Sequence, residues 1–307
     1  MISQSYKNQA DLLLQVLPHV AKEDTLALKG GTAINLFLRN MPRLSVDIDL
    51  TYLPFDDRVT ALSNISEALD RIKELIGKSL PDTTVTLLPG ESTEAKLNVQ
   101  SPKAQIKIEV NTITRGHLYP TRTIQVHETI QETFGKFAAI QIVSNAELYG
   151  GKICAALDRQ HPRDLFDVYL LFQENGFTDD VKNGFIVALI SHMRTMHEVL
   201  QPNRLDQRTA FEKQFAGMSA IPFTYEDFEA TRERLIQEVN SRLNENDRKF
   251  LLSFKSGDPQ WNLFPISKLN EMPAVQWKLK NARNLMASNP TKHKELLEKL
   301  RKLLIKE

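Results

Sequence analysis

The chain has 307 residues, 41% hydrophobic and 25% charged, the balance of a globular protein with room for one large domain or two ordinary ones. Its one cysteine, Cys154, excludes an intramolecular disulfide, fits a cytoplasmic protein and reads as a small core residue on an apolar helix. No apolar run reaches the roughly 18 residues of a membrane span, and Met1 to Lys7 lack the basic flank and apolar core of a secretory leader. The net charge of +1 hides an asymmetry, because residues 274–307 hold nine Lys and Arg against three Glu, leaving the body before them acidic. Such a tail suits a polyanion-binding surface or a solvated helix face, and charge alone does not separate the two.

Residues 5–22 read as an amphipathic helix, with Leu12, Leu13, Val16, Leu17 and Val20 at helical spacing. Thr25 to Lys29 is a short strand ended by Gly30-Gly31, and Ala33 to Arg39 a helix stopped by Pro42. Val46 to Leu53 alternates apolar and polar side chains as a strand does. A helix over 57–76 follows, then strands near 84–88, 95–100, 104–113 and 137–143. Beyond Ser144 the character changes. Ser144 and Glu147 make a Ser-x-x-Glu capping signal for a helix ending near Arg159, and Pro162 starts another through Phe172. Helical patterns continue over 179–198, 224–244, 273–288 and 291–305, with turn-rich loops such as Ser256-Gly257-Asp258-Pro259 between the later ones. The expected fold is α+β, a mixed sheet domain over 1–143 followed by a helical domain over 144–307.

The chemistry concentrates in Lys29-Gly30-Gly31-Thr32 and Arg43-Leu44-Ser45-Val46-Asp47-Ile48-Asp49-Leu50. On a strand, Asp47 and Asp49 share a face, about 6.6 Å apart along the backbone, while Val46, Ile48 and Leu50 fill the buried face. Two carboxylates so placed bridge divalent cations of the kind that assist phosphoryl displacement, and oxygen-only ligands favour Mg²⁺ or Mn²⁺ over zinc. A Gly pair between strand and helix lets a phosphate approach backbone N–H groups, with the Thr32 hydroxyl at the same turn. Each motif alone is common; together, in a strand–Gly-Gly–helix–strand unit, they are specific. Gln105 to Asn111 also alternates, with Ile106, Ile108 and Val110 inside, which makes Glu109 a candidate third ligand or the partner of a cross-strand Lys. No Gly-x-x-x-x-Gly-Lys-Ser/Thr loop and no His-Glu-x-x-His arrangement occurs.

These residues resemble the signature of the DNA polymerase β nucleotidyltransferase superfamily, a Gly-Gly or Gly-Ser turn followed by Asp-x-Asp. More narrowly, the chain is similar to the AbiEii-type toxin family, which includes the MenT toxins and reads Gly-Gly-Thr-Ala-Leu and then Arg-x-Ser-x-Asp-x-Asp-Leu. Here Ile34 replaces the Leu, and Arg43, Ser45, Asp47, Asp49 and Leu50 match. A second family block appears as Glu147-Leu148, Lys152, Ala156-Leu157, Arg159 and Arg163-Asp164-Leu165-Phe166-Asp167, so the resemblance spans residues 25–172. It implies a polymerase β-like fold in which the helical domain completes the active site. It also implies transfer of a nucleoside monophosphate from an NTP to an acceptor such as a tRNA 3′ end, blocking translation, and an antitoxin encoded nearby. Asp47, Asp49 and Glu109 would then serve the metals, with Glu109 helping to activate the acceptor hydroxyl. Gly30, Gly31, Thr32, Arg43, Ser45 and Lys152 would grip the triphosphate.

The second block also makes physical sense by itself. On a helix, Lys152 and Arg159 share a face, as two cations facing a triphosphate would, or as solvated residues would. Gly150-Gly151 inside that helix costs about 1 kcal/mol per Gly relative to Ala, so a packing or ligand contact should compensate. Asp164 is either a catalytic residue, beside Lys152 in that role, or a carboxylate favoured near a helix start in any case. Asp167 is either functional, in nucleotide binding, or the i+4 ion-pair partner of Arg163. Trp261 and Trp277 read as core rather than base-stacking residues. Two rival functions remain open: an NTP-binding toxin that acts without transfer, and a nucleotidyltransferase for a protein or small molecule. The intact Asp pair argues against the first, and the basic tail favours RNA over the second.

Overall fold

Alternating apolar residues build a seven-stranded mixed sheet in a computed structural model that describes residues 4–88, 94–174 and 176–305. The start of the Met1-to-Lys7 stretch and Lys306 of the basic tail lie outside the described residues. The chain folds as two compact units. The first comprises Met1–Ser144 with Phe215–Pro222; the second comprises Asn145–Gln214 with Phe223–Glu307.

In the first unit the strands are β1 (Leu26–Lys29), β2 (Ile48–Tyr52), β3 (Thr84–Leu88), β4 (Glu94–Gln100), β5 (Gln105–Asn111), β6 (Arg122–Gln125) and β7 (Ala139–Ile142). Their spatial order is β3-β4-β5-β2-β1-β7-β6. The pairs β2–β5 and β1–β7 are parallel and the others antiparallel. Ile48, Leu50 and Tyr52 of β2 and Ile106, Ile108 and Val110 of β5 are buried, as period-2 alternation requires. Helix α1 (Gln4–Val20) packs on β5 and β7, and α3 (Arg58–Ser79) packs on β3 and β4. The Asp57 side chain starts α3 by accepting from the Val59 and Thr60 amides at 2.8 and 3.2 Å. Between β1 and β2 the chain makes one helical turn, α2 (Gly30–Thr32), and continues as a π-helical turn over Ala33–Leu38. After β6 comes α4 (Glu128–Phe134).

The second unit is helical: α5 (Asn145–Arg159), α6 (Pro162–Gln173), α7 (Asp179–Ser191), α8 (Met196–Leu200), α9 (Arg208–Gln214), α10 (Tyr225–Arg242), α11 (Glu245–Ser256), α12 (Pro273–Ser288) and α13 (Pro290–Leu304). The pattern over 179–198 is broken at His192, which ends α7. The pattern over 224–244 stops at Leu243, because Asn244 and Asp247 form a capping box that starts α11 afresh. Strand β6 and helices α4, α9 and α11 go beyond what the sequence predicts; the first three are short, and α9 buries no residue. Strand β2 begins at Ile48 rather than Val46, since its ladder with β5 starts at Ile48–Ile108 and its ladder with β1 reaches only Asp49. Among the described residues no helix is long and apolar enough to cross a membrane. Cys154 is a core residue, and burial pushes its thiol up to about 12.

Packing explains Gly150 of the glycine pair in α5, and not Gly151. A Cβ on Gly150 would collide with the backbone of Gly184 and Phe185 in α7, and one on Gly184 would collide with the Ala146 carbonyl. The two helices therefore cross backbone to backbone. Gly151 faces open space. Gly150→Ala is expected to destabilise the protein by about 1–3 kcal/mol in urea unfolding. Gly151→Ala should be neutral or stabilising by up to about 1 kcal/mol.

Candidate active site

The turn after β1 is built around backbone approach. Gly30 has φ +74°, a conformation that a side chain disfavours, and a Cβ there would overlap the Asp49 carboxylate at Oδ2. A Cβ on Gly31 would sit 2.7 Å from Arg43 Nη2 and 2.8 Å from Ser45 Oγ. The two glycines therefore bring main chain directly against three of the residues singled out in the sequence. Asn35 Nδ2 donates to the Gly31 carbonyl at 2.9 Å and ties the π-helical turn to the glycines. Isolated π turns are rare and concentrate at functional sites.

Thr32 is fully buried, and its hydroxyl donates to the Asp47 carbonyl at 2.5 Å. The same oxygen lies 3.1 Å from Ser45 Oγ. With the Thr32 proton committed to Asp47, Ser45 is the donor in that second bond. Thr32 thus fixes the main chain of Asp47 rather than offering a free hydroxyl. Asp47 itself precedes the strand, so its position depends on this bond and not on the pleat. Arg43 is only 3% exposed, and its Nη1 donates to the Leu44 carbonyl at 2.8 Å.

On the sheet, four charged residues stand in register across neighbouring strands. Lys29 of β1 is opposite Asp49 of β2, Asp49 is opposite Glu109 of β5, and Glu109 is opposite Lys96 of β4. Lys96 Nζ is 3.2 Å from Glu109 Oε1, the cross-strand ion pair that the sequence left as the alternative to metal ligation. Among the described residues no three His, Cys, Asp or Glu side chains form a ready metal cluster. The carboxylates of Asp49 and Glu109, side by side on parallel strands, still supply the oxygen donors that a hard cation takes, with Asp47 two residues away.

One part of the site had no sequence signal. Phe215–Pro222 belongs to the sheet unit although helical segments flank it. It lies along residues 42–44, with Leu44 N donating to Met218 O at 3.0 Å and Ala220 N to Pro42 O at 2.9 Å. Arg43 and Ser219 form an antiparallel bridge. This segment, turned at Gly217 with φ +77°, holds the run that carries Arg43 into Ser45 and Asp47.

In the helical unit, Lys152 and Arg159 do share a face of α5, and what lies between them is Asp164. Lys152 is 7% exposed; its Nζ sits 2.7 Å from Asp164 Oδ1 and 3.1 Å from Asp167 Oδ2. Arg159 Nε reaches Asp164 Oδ2 at 2.5 Å. Asp167 therefore pairs with Lys152 rather than serving only Arg163. Burial pushes the Asp164 carboxyl up, but Lys152 and Arg159 outweigh it and hold the group well below the usual carboxylate range. A depressed carboxyl contributes stability above its unfolded pKa, so this contribution is full at neutral pH and is lost only as pH falls through the folded value. Lys152→Met should destabilise the protein by about 3–5 kcal/mol at pH 7 in denaturant titration, because two buried carboxylates lose their common cation. That penalty should shrink in acid, where the carboxylates protonate.

The basic tail is partly engaged as well. Lys278 Nζ donates to the carbonyls of Met193 and Arg194 at 3.1 and 2.7 Å, and also to that of His192, which caps the end of α7. Arg283 Nε donates to Gly257 O at 2.8 Å. Lys280, Lys292, Lys294, Lys299, Arg301 and Lys302 are exposed. Trp261 packs on Phe250 and Phe254 as a core residue, whereas Trp277 is 46% exposed, contrary to the core expectation.

The comparisons with known proteins bear on the family and the fold. No curated protein matches the sequence. Among solved structures the chain is similar to MenT4, a nucleotidyltransferase toxin from Mycobacterium tuberculosis H37Rv. The TM-score is 0.62 at 15% identity, with 92% of each chain covered, a likeness of fold. The family model described as nucleotidyl transferase AbiEii toxin, type IV toxin–antitoxin system, matches residues 11–281. With that match spanning the glycine turn, the Asp pair and most of the helical unit, the chain belongs to the AbiEii family of nucleotidyltransferase toxins.

Proposed function

We propose that this nucleotidyltransferase transfers a nucleoside monophosphate to the 3′ end of an RNA, with tRNA as the acceptor class, and that Asp47 and Asp49 hold its divalent cation. Enzymes of this family use an NTP and a divalent metal ion, and a toxin of such a system has an antitoxin partner. The observation that carries the reading is the contact of the Gly30-Gly31 backbone with Asp49, Arg43 and Ser45. It supports the reading because a metal-bound triphosphate needs an anion-accepting turn beside a cation-accepting carboxylate.

The chain's own groups divide the work. The turn after β1 presents main chain to the triphosphate, with the Arg43 guanidinium beside it. Thr32 and Ser45 keep Asp47 in place. In the transfer, the acceptor hydroxyl oxygen bonds to the α-phosphorus as the bond to the pyrophosphate oxygen breaks, the hydroxyl proton passes to a base and pyrophosphate leaves. A bound Mg²⁺ or Mn²⁺ supplies positive charge where negative charge develops on the phosphoryl oxygens. The exposed cations of α13 are assigned to an RNA backbone, on charge complementarity.

Asp47→Asn and Asp49→Asn should each abolish labelling of RNA by radioactive NTP while shifting unfolding stability by no more than about 0.5 kcal/mol. Full labelling by either variant would remove the Asp pair from the chemistry. NTP binding that persists with no labelled product under any metal or acceptor would favour a toxin acting without transfer.

The acceptor has its own check. Replacing Lys292, Lys294, Lys299 and Lys302 with Glu should cut RNA labelling strongly, leave NTP affinity unchanged and flatten the salt dependence of RNA binding. Labelling that is indifferent both to salt and to this change would point to a protein or small-molecule acceptor.

A further inference from the structure

The row Lys29, Asp49, Glu109, Lys96 sets two carboxylates against each other on neighbouring strands, with a lysine on each outer flank. Like charges directly opposite on a sheet destabilise it, so the pair needs compensation in the protein before any cation arrives. At Glu109 that compensation is visible: Lys96 Nζ lies 3.2 Å from Oε1, with both side chains about one-fifth exposed. A Glu engaged in this way is not free to join Asp47 and Asp49, which agrees with the lack of a ready three-acid cluster among the described residues.

We infer that Lys96 is a positioning residue, an internal counter-ion that holds Glu109 until a divalent cation displaces it and recruits Glu109 as a third oxygen ligand. The inference rests on the proposal that Asp47 and Asp49 bind the cation. A lysine and a divalent cation then compete for one carboxylate. Cation affinity is set below what three free acids would give, and Lys96 leaves the carboxylate only when the cation enters. A lysine that merely braces β4 against β5 would contribute to stability without entering the cation equilibrium.

The test is Mn²⁺ binding to the full chain without NTP, monitored by calorimetry and by the loss of the free-ion paramagnetic resonance signal. Lys96→Gln should tighten Mn²⁺ binding by about two- to five-fold, the worth of one partly exposed ion pair. Lys96→Arg, which keeps the pair, should bind as the unaltered protein does. Glu109→Gln should weaken binding, and Lys96→Gln added to Glu109→Gln should give no gain. Lys96→Thr, with a β-branched side chain suited to a strand, reads the same quantity where Gln is not tolerated. Unchanged or weaker binding in both Lys96→Gln and Lys96→Thr would overturn the inference, as would a gain that survives Glu109→Gln. Asp49→Asn separates the two levels. If it binds Mn²⁺ as well as the unaltered protein, the metal assignment itself falls. If it loses binding while Lys96→Gln changes nothing, only the role of Lys96 does.

Discussion

The site depends on the absence of two side chains. Gly30 and Gly31 let main chain touch Asp49, Arg43 and Ser45, and any Cβ would separate the turn from the carboxylate it faces. This contact links the end of β1 to the start of β2, the point proposed as the meeting place of phosphate and cation. The positive φ of Gly30 and the π-helical turn that follows are the conformational cost of the approach. Around it the polar groups are arranged in series: Ser45 donates to Thr32, Thr32 to the Asp47 carbonyl, and Asn35 to the Gly31 carbonyl. A hydroxyl with one proton serves one acceptor, so Thr32, which looks like a phosphate ligand in the motif, acts here on the main chain of Asp47.

Much of this was legible in the sequence because it is local. The alternation in residues 48–52 and 105–111, the glycine pair between strand and helix, and the helix start after Ser144 each follow from spacing along the chain. What escaped is set by register or by distant segments. Nothing near Lys96 says that it will stand opposite Glu109, since a shift of one residue in β4 would turn it to the other face. The run Phe215–Pro222, mostly small and apolar, has neither period, yet it holds Pro42 and Leu44. Asp47 looks like a strand residue because its neighbours alternate, but β1 has ended before it could pair there. The same limit explains Lys152: its place on the helix face could be derived, whereas the acid lying on that face could not.

The helical unit manages charge differently from the sheet unit. Lys152 with Asp164 and Asp167, and Lys182 with Asp247 at 3.0 Å, are ion pairs whose members are nearly all out of solvent. Burial of such pairs adds little net stability relative to apolar packing, but removing one member leaves an expensive charge behind. Their arrangement is therefore self-consistent and intolerant of partial change. Asp247 shows the coupling, since the same carboxylate pairs with Lys182 and closes the capping box that starts α11.

A similar economy governs the lysines and arginines of the tail, and it bears on how the acidic body could meet a polyanion. Lys278 and Arg283 are occupied by main-chain carbonyls, so formal charge overstates what α12 presents. On α13, Lys299 and Arg301 have Glu295 and Glu298 beside them at 2.8 and 3.4 Å. Exposed pairs of this kind are weak and screened by salt, so they hold these cations only loosely. Lys280, Lys292, Lys294 and Lys302 are exposed beside them. Among the described residues of the tail, α13 therefore carries most of the cationic surface that an RNA could use, and the counterion release that drives such binding would draw on it first.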